Sequence, residues 1–142
     1  MPLHFHTQNI SFSLKNKKEL KRWISHTLLS EKKNLGQIDF IFCDDAFLLQ
    51  YNKTYLKHNA YTDIITFDYS IKKSNPLLIS GDIFISIERV KENASKFNTS
   101  FMNEIHRVMI HGVLHLIGYK DKGKKDKLAM RIKEDFYLAL LD

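Results

Sequence analysis

Residues 81–118 read GDIFISIERVKENASKFNTSFMNEIHRVMIHGVLHLIG, and they decide the fold class. Residues 81–87 are apolar and β-branched, the composition of a strand. Residues 88–97 follow as a helix, and Asn98-Thr99-Ser100 supplies the cap of the next one. Residues 101–117 then form a long apolar helix that stops at Gly118, a natural C′ residue. Downstream, 120–127 is a charged loop and 128–141 a final helix. Upstream, residues 62–69 (TDIITFDY) and 37–43 (QIDFIFC) read as strands. Residues 72–76 are a polar loop with a proline stop. Asp44-Asp45 caps a helix over 45–56. Leu20, Trp23, Ile24, Thr27 and Leu28 lie at helical spacing within an amphipathic helix over 15–33, which Asn34-Leu35-Gly36 stops. Residues 3–14 alternate loosely, as a strand or a strand pair. Strands and helices mix without a regular βαβ rhythm. The expected fold is therefore α+β, a small mixed sheet covered by helices.

Length and composition agree. The 142 residues suit a single domain, 1–142. With 44% hydrophobic and 27% charged residues, only 2 Pro and only 5 Gly, collagen-like and low-complexity chains are excluded. No apolar run reaches the roughly 18 residues of a membrane helix. The opening MPLHFHTQNI lacks the basic and apolar regions of a secretory signal, so a soluble cytoplasmic protein is expected. The single cysteine, Cys43, excludes an intrachain disulfide and a Cys-rich zinc site, and reads as a small buried hydrophobe. Lys+Arg is 22 against Asp+Glu 16, a net charge of +6. That excess suits phosphate tracking, and equally a Lys-rich solvated surface.

The chemistry concentrates in His111-Gly-Val-Leu-His115-Leu-Ile-Gly118-Tyr119-Lys120-Asp121. Four helical steps of about 100° return His115 to within about 40° of His111, so both imidazoles share one face. A helix offers two nitrogens to one metal in this way. Gly118 lets the chain turn back, and Asp121 three residues later can close a set of three ligands. The string H-x3-H-x2-G-x2-D is similar to the metzincin string H-E-x-x-H-x-x-G-x-x-H with two changes. Asp replaces the last His, and Gly112 replaces the Glu that acts as general base in those proteases. Peptide hydrolysis is disfavoured on that ground. The competing reading is a pair of satisfied core histidines. Glu104, seven residues before His111, either supports the site from behind or is a solvated first-turn charge. His106 points away and is structural. His4, His6 and His26 have no motif context.

These residues resemble the YbeY family of bacterial rRNA maturation factors and endoribonucleases. Asn52-Lys-Thr-Tyr-Leu56 running into Thr62-Asp63-Ile-Ile-Thr-Phe67 is similar to the family's N-x3-R…TDVLSF. Gly81-Asp82-Ile83-Phe-Ile is a second match. The histidine segment is similar to H-G-x-L-H-L-x-G-Y-D-H, and the Asp126…Met130…Glu134 helix follows it. The resemblance implies an α+β fold with one metal, usually zinc, on the helix 101–117 and the loop after it. His111 and His115 fall on the first two ligand positions and are the implied catalytic pair. Asp121 stands where the family has its third His. Leu56 stands where the family has a functional Arg, and Lys57 or His58 is the expected substitute.

Lys120 and Lys122, with Lys124, Lys125 and Lys127, form a cationic stretch beside the site that fits an RNA-binding rim as well as a solvated loop. Thr62, Asp63 and Asp82 read as caps or turns into strands. The implied activity is metal-dependent, single-strand-specific endoribonucleolysis in 3′ end maturation of small-subunit rRNA and in ribosome quality control. The implied partners are rRNA and the small subunit, with no membrane. The rival reading is a non-catalytic or weakly catalytic RNA- or ribosome-binding assembly factor with a structural metal. A third is a hydrolase of another phosphoester. Two His and one carboxylate also suit iron or nickel, so metal identity stays open, as does oligomeric state.

Overall fold

A computed structural model describes residues 2–56, 62–69 and 78–141. The elements in chain order are β1 (Leu3–Gln8), α1 (Lys17–Ser30), β2 (Asn34–Cys43), α2 (Asp45–Tyr51), β3 (Ile64–Asp68), β4 (Leu78–Ser86), α3 (Ile87–Lys96), α4 (Phe101–Ile117) and α5 (Lys124–Leu141). The strands form one sheet in the order β1-β2-β4-β3. β1, β2 and β4 run parallel, and β3 pairs antiparallel on the far side of β4. The sheet is mixed and the class α+β, as expected, although β1-α1-β2 is a parallel crossover unit.

Pleating sends alternate side chains to opposite faces. Leu3, Ile38, Phe40, Phe42, Ile79, Ile83 and Ile85 point to one face and join the main core with α1 and α4. On the other face, Cys43, Ile65 and Phe84 pack with Leu48 of α2. The last four residues of β4 are thus buried on both sides. Burial pushes the Cys43 thiol up to about 12, with Asp44 and Asp45 adding to the effect, so this cysteine is an inert hydrophobe.

Caps set the helices that carry the site. Ser100 Oγ accepts from Asn103 N at 3.0 Å to start α4, and Asp44 accepts from Phe47 N at 2.8 Å to start α2. Gly118, at φ 122°, ends α4. Its N–H donates to His115 O at 3.0 Å and that of Tyr119 to Leu114 O at 3.0 Å, a Schellman closure.

Several boundaries differ from the sequence reading. Asn34-Leu35-Gly36 does not stop α1. The helix ends at Ser30, Lys32 takes up a positive φ of 61°, and Asn34 and Leu35 already pair in β2, with Gly36 in the bulge that follows. Only residues 3–8 of the first stretch form a strand. The helix over 45–56 is regular to Tyr51 and widens to a π-helical turn over Asn52–Leu56. Gly81 and Asp82 lie inside β4 rather than at its start, because pairing with β2 begins at Leu78. Asp82 accepts from Tyr69 Oη at 3.0 Å. α5 begins at Lys124, so the charged stretch is loop only as far as Gly123. The loop at 72–76 lies outside the described residues.

Gly112 is where α4 meets the sheet. A Cβ there would lie 2.8 Å from Ile83 Cγ2 and 2.9 Å from Ile64 Cδ1. The absence of a Glu after the first histidine therefore has a steric cause: a side chain at 112 points into the sheet, not at the site. Gly112→Ala is expected to cost about 1–3 kcal/mol through overpacking, read as a lowered urea midpoint at unchanged m-value.

Candidate metal centre

The last turns of α4 and the loop after it bring three donor atoms together. His111 Nε2 and His115 Nε2 are 3.0 Å apart. Asp121 Oδ2 lies 3.4 Å from the first and 3.5 Å from the second. Donors at about 2.0–2.2 Å from a tetrahedral ion lie roughly 3.3–3.6 Å from one another, so the two edges to Asp121 have the dimensions of a zinc site and the histidine–histidine edge is a few tenths of an ångström shorter. Among the described residues this is the one cluster of three or more His, Cys, Asp or Glu so placed.

The outer contacts fix which atoms converge. His115 Nδ1 donates to the carbonyl oxygen of Tyr119 at 3.0 Å. His111 Nδ1 donates to Glu134 Oε2 at 2.5 Å. With both Nδ1 atoms carrying the proton, both Nε2 atoms present lone pairs to the same point as the Asp121 carboxylate. Three acceptors facing one another repel unless a cation lies between them. A backbone carbonyl and a carboxylate behind two imidazoles is the usual support of a histidine-bound metal.

An open cleft of about 500 Å³ adjoins the cluster, lined by Asp63, Glu104, Arg107, His111, Asp121 and Glu134 among others. Of its carboxylates Glu104 and Glu134 are buried, Asp63 is half-buried and Asp121 is partly exposed. Burial raises the pKa of Asp63; His111 offsets this in part and Asp121 and Glu134 reinforce it. Burial also raises Glu104, with Arg107 opposing and Asp63 and Glu134 adding. For His111, burial works against the charged form. The hydrogen bond and charge of Glu134, with the charges of Asp121 and Asp63, outweigh it and raise the pKa above the usual imidazole value.

A proton and a metal therefore compete for His111. Zinc affinity is expected to fall as pH drops from about 8 to about 6, measured by chelator competition. Glu134→Gln removes the main charge that raises His111, so the fall should move to lower pH. A pH-independent affinity contradicts the assignment.

The structure brings His111, His115 and Asp121 together as the spacing predicted. Lys120 and Lys122 are exposed on the loop that carries Asp121, and Lys127 lines the cleft. Lys57 and His58 lie outside the described residues. Glu104 is buried at 5% exposure in the cleft wall, which removes its reading as a solvated charge. His106 packs edge-on to Trp23, away from the cluster. His4, His6 and His26 are exposed, and His6 pairs with Asp39 at 2.9 Å.

Three residues take site roles that the sequence does not assign them. Glu134 joins His111 to Arg107, whose Nη1 lies 2.9 Å away. Arg107 also reaches Asp135 at 2.6 Å. Asp63, read as a turn residue, sends its side chain into the cleft, where Asn93 Nδ2 donates to it at 3.3 Å. The turn role belongs to Thr62, whose hydroxyl donates to Ile64 O at 3.2 Å.

The family model described as Endoribonuclease YbeY matches residues 3–142. The chain belongs to the endoribonuclease YbeY family. A protein of Flavobacterium psychrophilum named Endoribonuclease YbeY is 51% identical over 131 residues, covering 92% of this chain and 91% of that one. Another so named, from Cytophaga hutchinsonii, is 45% identical over 138 residues, 97% of this chain and 94% of its own. The solution structure of a Thermotoga maritima protein shares the fold at TM-score 0.66 and 24% identity, covering 98% of this chain and 88% of that one. As a YbeY-family member the chain is classed with hydrolases that cut RNA internally. No described helix is long and apolar enough to cross a membrane.

Proposed function

We propose that the chain is a metal-dependent, single-strand-specific endoribonuclease acting in the cytoplasm, in 3′ end maturation of small-subunit rRNA and in ribosome quality control. The observation that carries the metal is the convergence of His111 Nε2, His115 Nε2 and Asp121 Oδ2, with both imidazoles tied back through Nδ1. Family membership supports the RNA substrate. Zinc fits the donor set and the spacing. A bound divalent ion supplies Lewis acidity at a phosphate oxygen and makes a coordinated water more acidic.

The chain's own residues do the rest. His111 and His115 are the catalytic pair in the sense that they, with Asp121, would hold the metal. Glu134 keeps the Nδ1 proton of His111 and so leaves Nε2 free. Asp63 and Glu104, raised by burial, retain protons to higher pH than ordinary carboxylates, and both line the cleft beside His111. Arg107 is held by Glu134 and Asp135, so Lys127 in the cleft and Lys120 and Lys122 on the loop are the cations that meet the phosphates of an incoming strand. Phe97 lines the cleft at 62% exposure and offers a ring on which an unpaired base stacks. Stacking on that ring needs an unpaired base, which favours a single-stranded substrate.

The deciding experiment is metal content per chain, with and without added zinc, for wild type and Asp121→Ala, beside cleavage of single-stranded and duplex small-subunit rRNA fragments. About one zinc per wild-type chain, lost in the variant, with cleavage of the single strand alone, is the expected result. Tight, salt-sensitive RNA binding with no turnover would replace this reading by the assembly factor. A wild type that takes up no metal would overturn the metal site itself.

A further inference from the structure

Behind the metal cluster lies a second polar group that the proposed reaction does not use. Glu31 follows the last residue of α1, and its side chain is only 10% exposed. It accepts from Tyr119 Oη at 2.6 Å, from Lys133 Nζ at 3.0 Å and from Tyr137 Oη. Locally this is a poor place for a carboxylate, because the C-terminal end of a helix is the negative end of its dipole. Three donors from distant parts of the chain compensate. They hold the carboxyl below its usual range against the opposing effect of burial.

Tyr119 links this group to the cluster. Its hydroxyl is held by Glu31, and its carbonyl oxygen accepts from His115 Nδ1 at 3.0 Å. It stands directly after the helix-ending Gly118 and two residues before Asp121. The same α5 that brings Glu134 to His111 brings the neighbouring Lys133 to Glu31 and places its ammonium 5.9 Å from the Tyr119 ring centroid. One side chain past the end of α1 thus fixes the residue whose backbone orients one histidine and whose loop carries the third donor.

We infer that Glu31 is a positioning residue for the metal centre, acting through the Tyr119 hydroxyl to aim His115 Nε2 and to hold Asp121 within reach. The inference rests on the metal-centre reading above. Displacement of the loop by a fraction of an ångström would spoil the donor triangle without touching a donor. Outer-shell partners of this kind are worth about 10–100-fold in metal affinity.

The test compares Tyr119→Phe with Tyr137→Phe. Both remove one hydroxyl from Glu31 and keep the ring, but only the first cuts the path to His115. Zinc affinity is measured by chelator competition on the full chain, the visible absorption of the cobalt-substituted protein reports ligand geometry, and melting of the metal-free protein reports stability. Tyr119→Phe is expected to weaken zinc roughly tenfold and to alter the cobalt spectrum. Tyr137→Phe should lower the melting temperature and leave zinc affinity and the cobalt spectrum at wild-type values. Glu31→Ala, which leaves no oxygen to accept from Tyr119, should weaken zinc as Tyr119→Phe does. Wild-type zinc affinity in Tyr119→Phe, or equal weakening in Tyr137→Phe, would overturn the positioning role while the metal centre stands. Absence of metal from the wild type would remove both.

Discussion

His115→Ala is expected to lose metal and RNA cleavage together while keeping its fold. Loss of an outer partner alone costs about 10–100-fold in metal affinity, so loss of a donor should exceed about 100-fold. Two donors, His111 Nε2 and Asp121 Oδ2, remain 3.4 Å apart, too few for a closed set. The fold should tolerate the change. His115 keeps 25% of its side chain exposed, and its Nδ1 bond goes to a backbone carbonyl in an open loop. A bond of that kind contributes about 0.5–1.5 kcal/mol. The buried stripe of α4 at Val108, Ile105, Val113 and Leu116 is untouched. Metal content, cleavage of single-stranded RNA and thermal melting are measured on the same preparation. Cleavage by metal-free His115→Ala would sink the metal mechanism. If the metal were structural only, the substitution would lower stability sharply and leave RNA binding intact, in a protein whose wild type never turned over.

The cluster was legible because it is local. His111, His115, Gly118 and Asp121 lie within one helix end and its turn, where spacing determines geometry, and α4 itself starts and stops where Ser100 and Gly118 indicate. The support was hidden because it is not local. Glu134 reaches His111 from 23 residues away and Glu31 reaches Tyr119 from 88 residues away. A sequence signal for Glu134 did exist: Met130, Glu134 and Tyr137 form the buried face of α5, and a carboxylate on an apolar stripe needs a partner. Glu104 carried the same signal on α4. Strand starts were less legible for another reason. Asn34-Leu35-Gly36 has the composition of a helix stop, but the parallel partner β4 draws those residues into the sheet. Gly112 stands where a metalloprotease has its base, but packing against Ile83 and Ile64 determines it.

Glu134→Ala is expected to cost both stability and metal, and Glu134→Gln to separate the two. The carboxylate is 9% exposed and joins Arg107 at 2.9 Å to His111 at 2.5 Å. Its removal leaves Arg107, 19% exposed, with Asp135 alone, and that partner is 57% exposed. Breaking such a buried pair costs about 3 kcal/mol, since the remaining charge keeps its desolvation penalty. For a domain of this size the metal-free protein should melt about 10 °C lower. Glutamine keeps an oxygen that can accept from Arg107 but presents no charge to His111. Its stability loss should be about 1–2 kcal/mol. Metal affinity should still fall about 10–100-fold, because the imidazole loses the anion that fixes its proton on Nδ1 and raises its basicity. Wild-type affinity in Glu134→Gln would mean that the carboxylate serves Arg107 alone. Equal stability loss in both variants would mean that the charge on Glu134, rather than its hydrogen bond, stabilises Arg107.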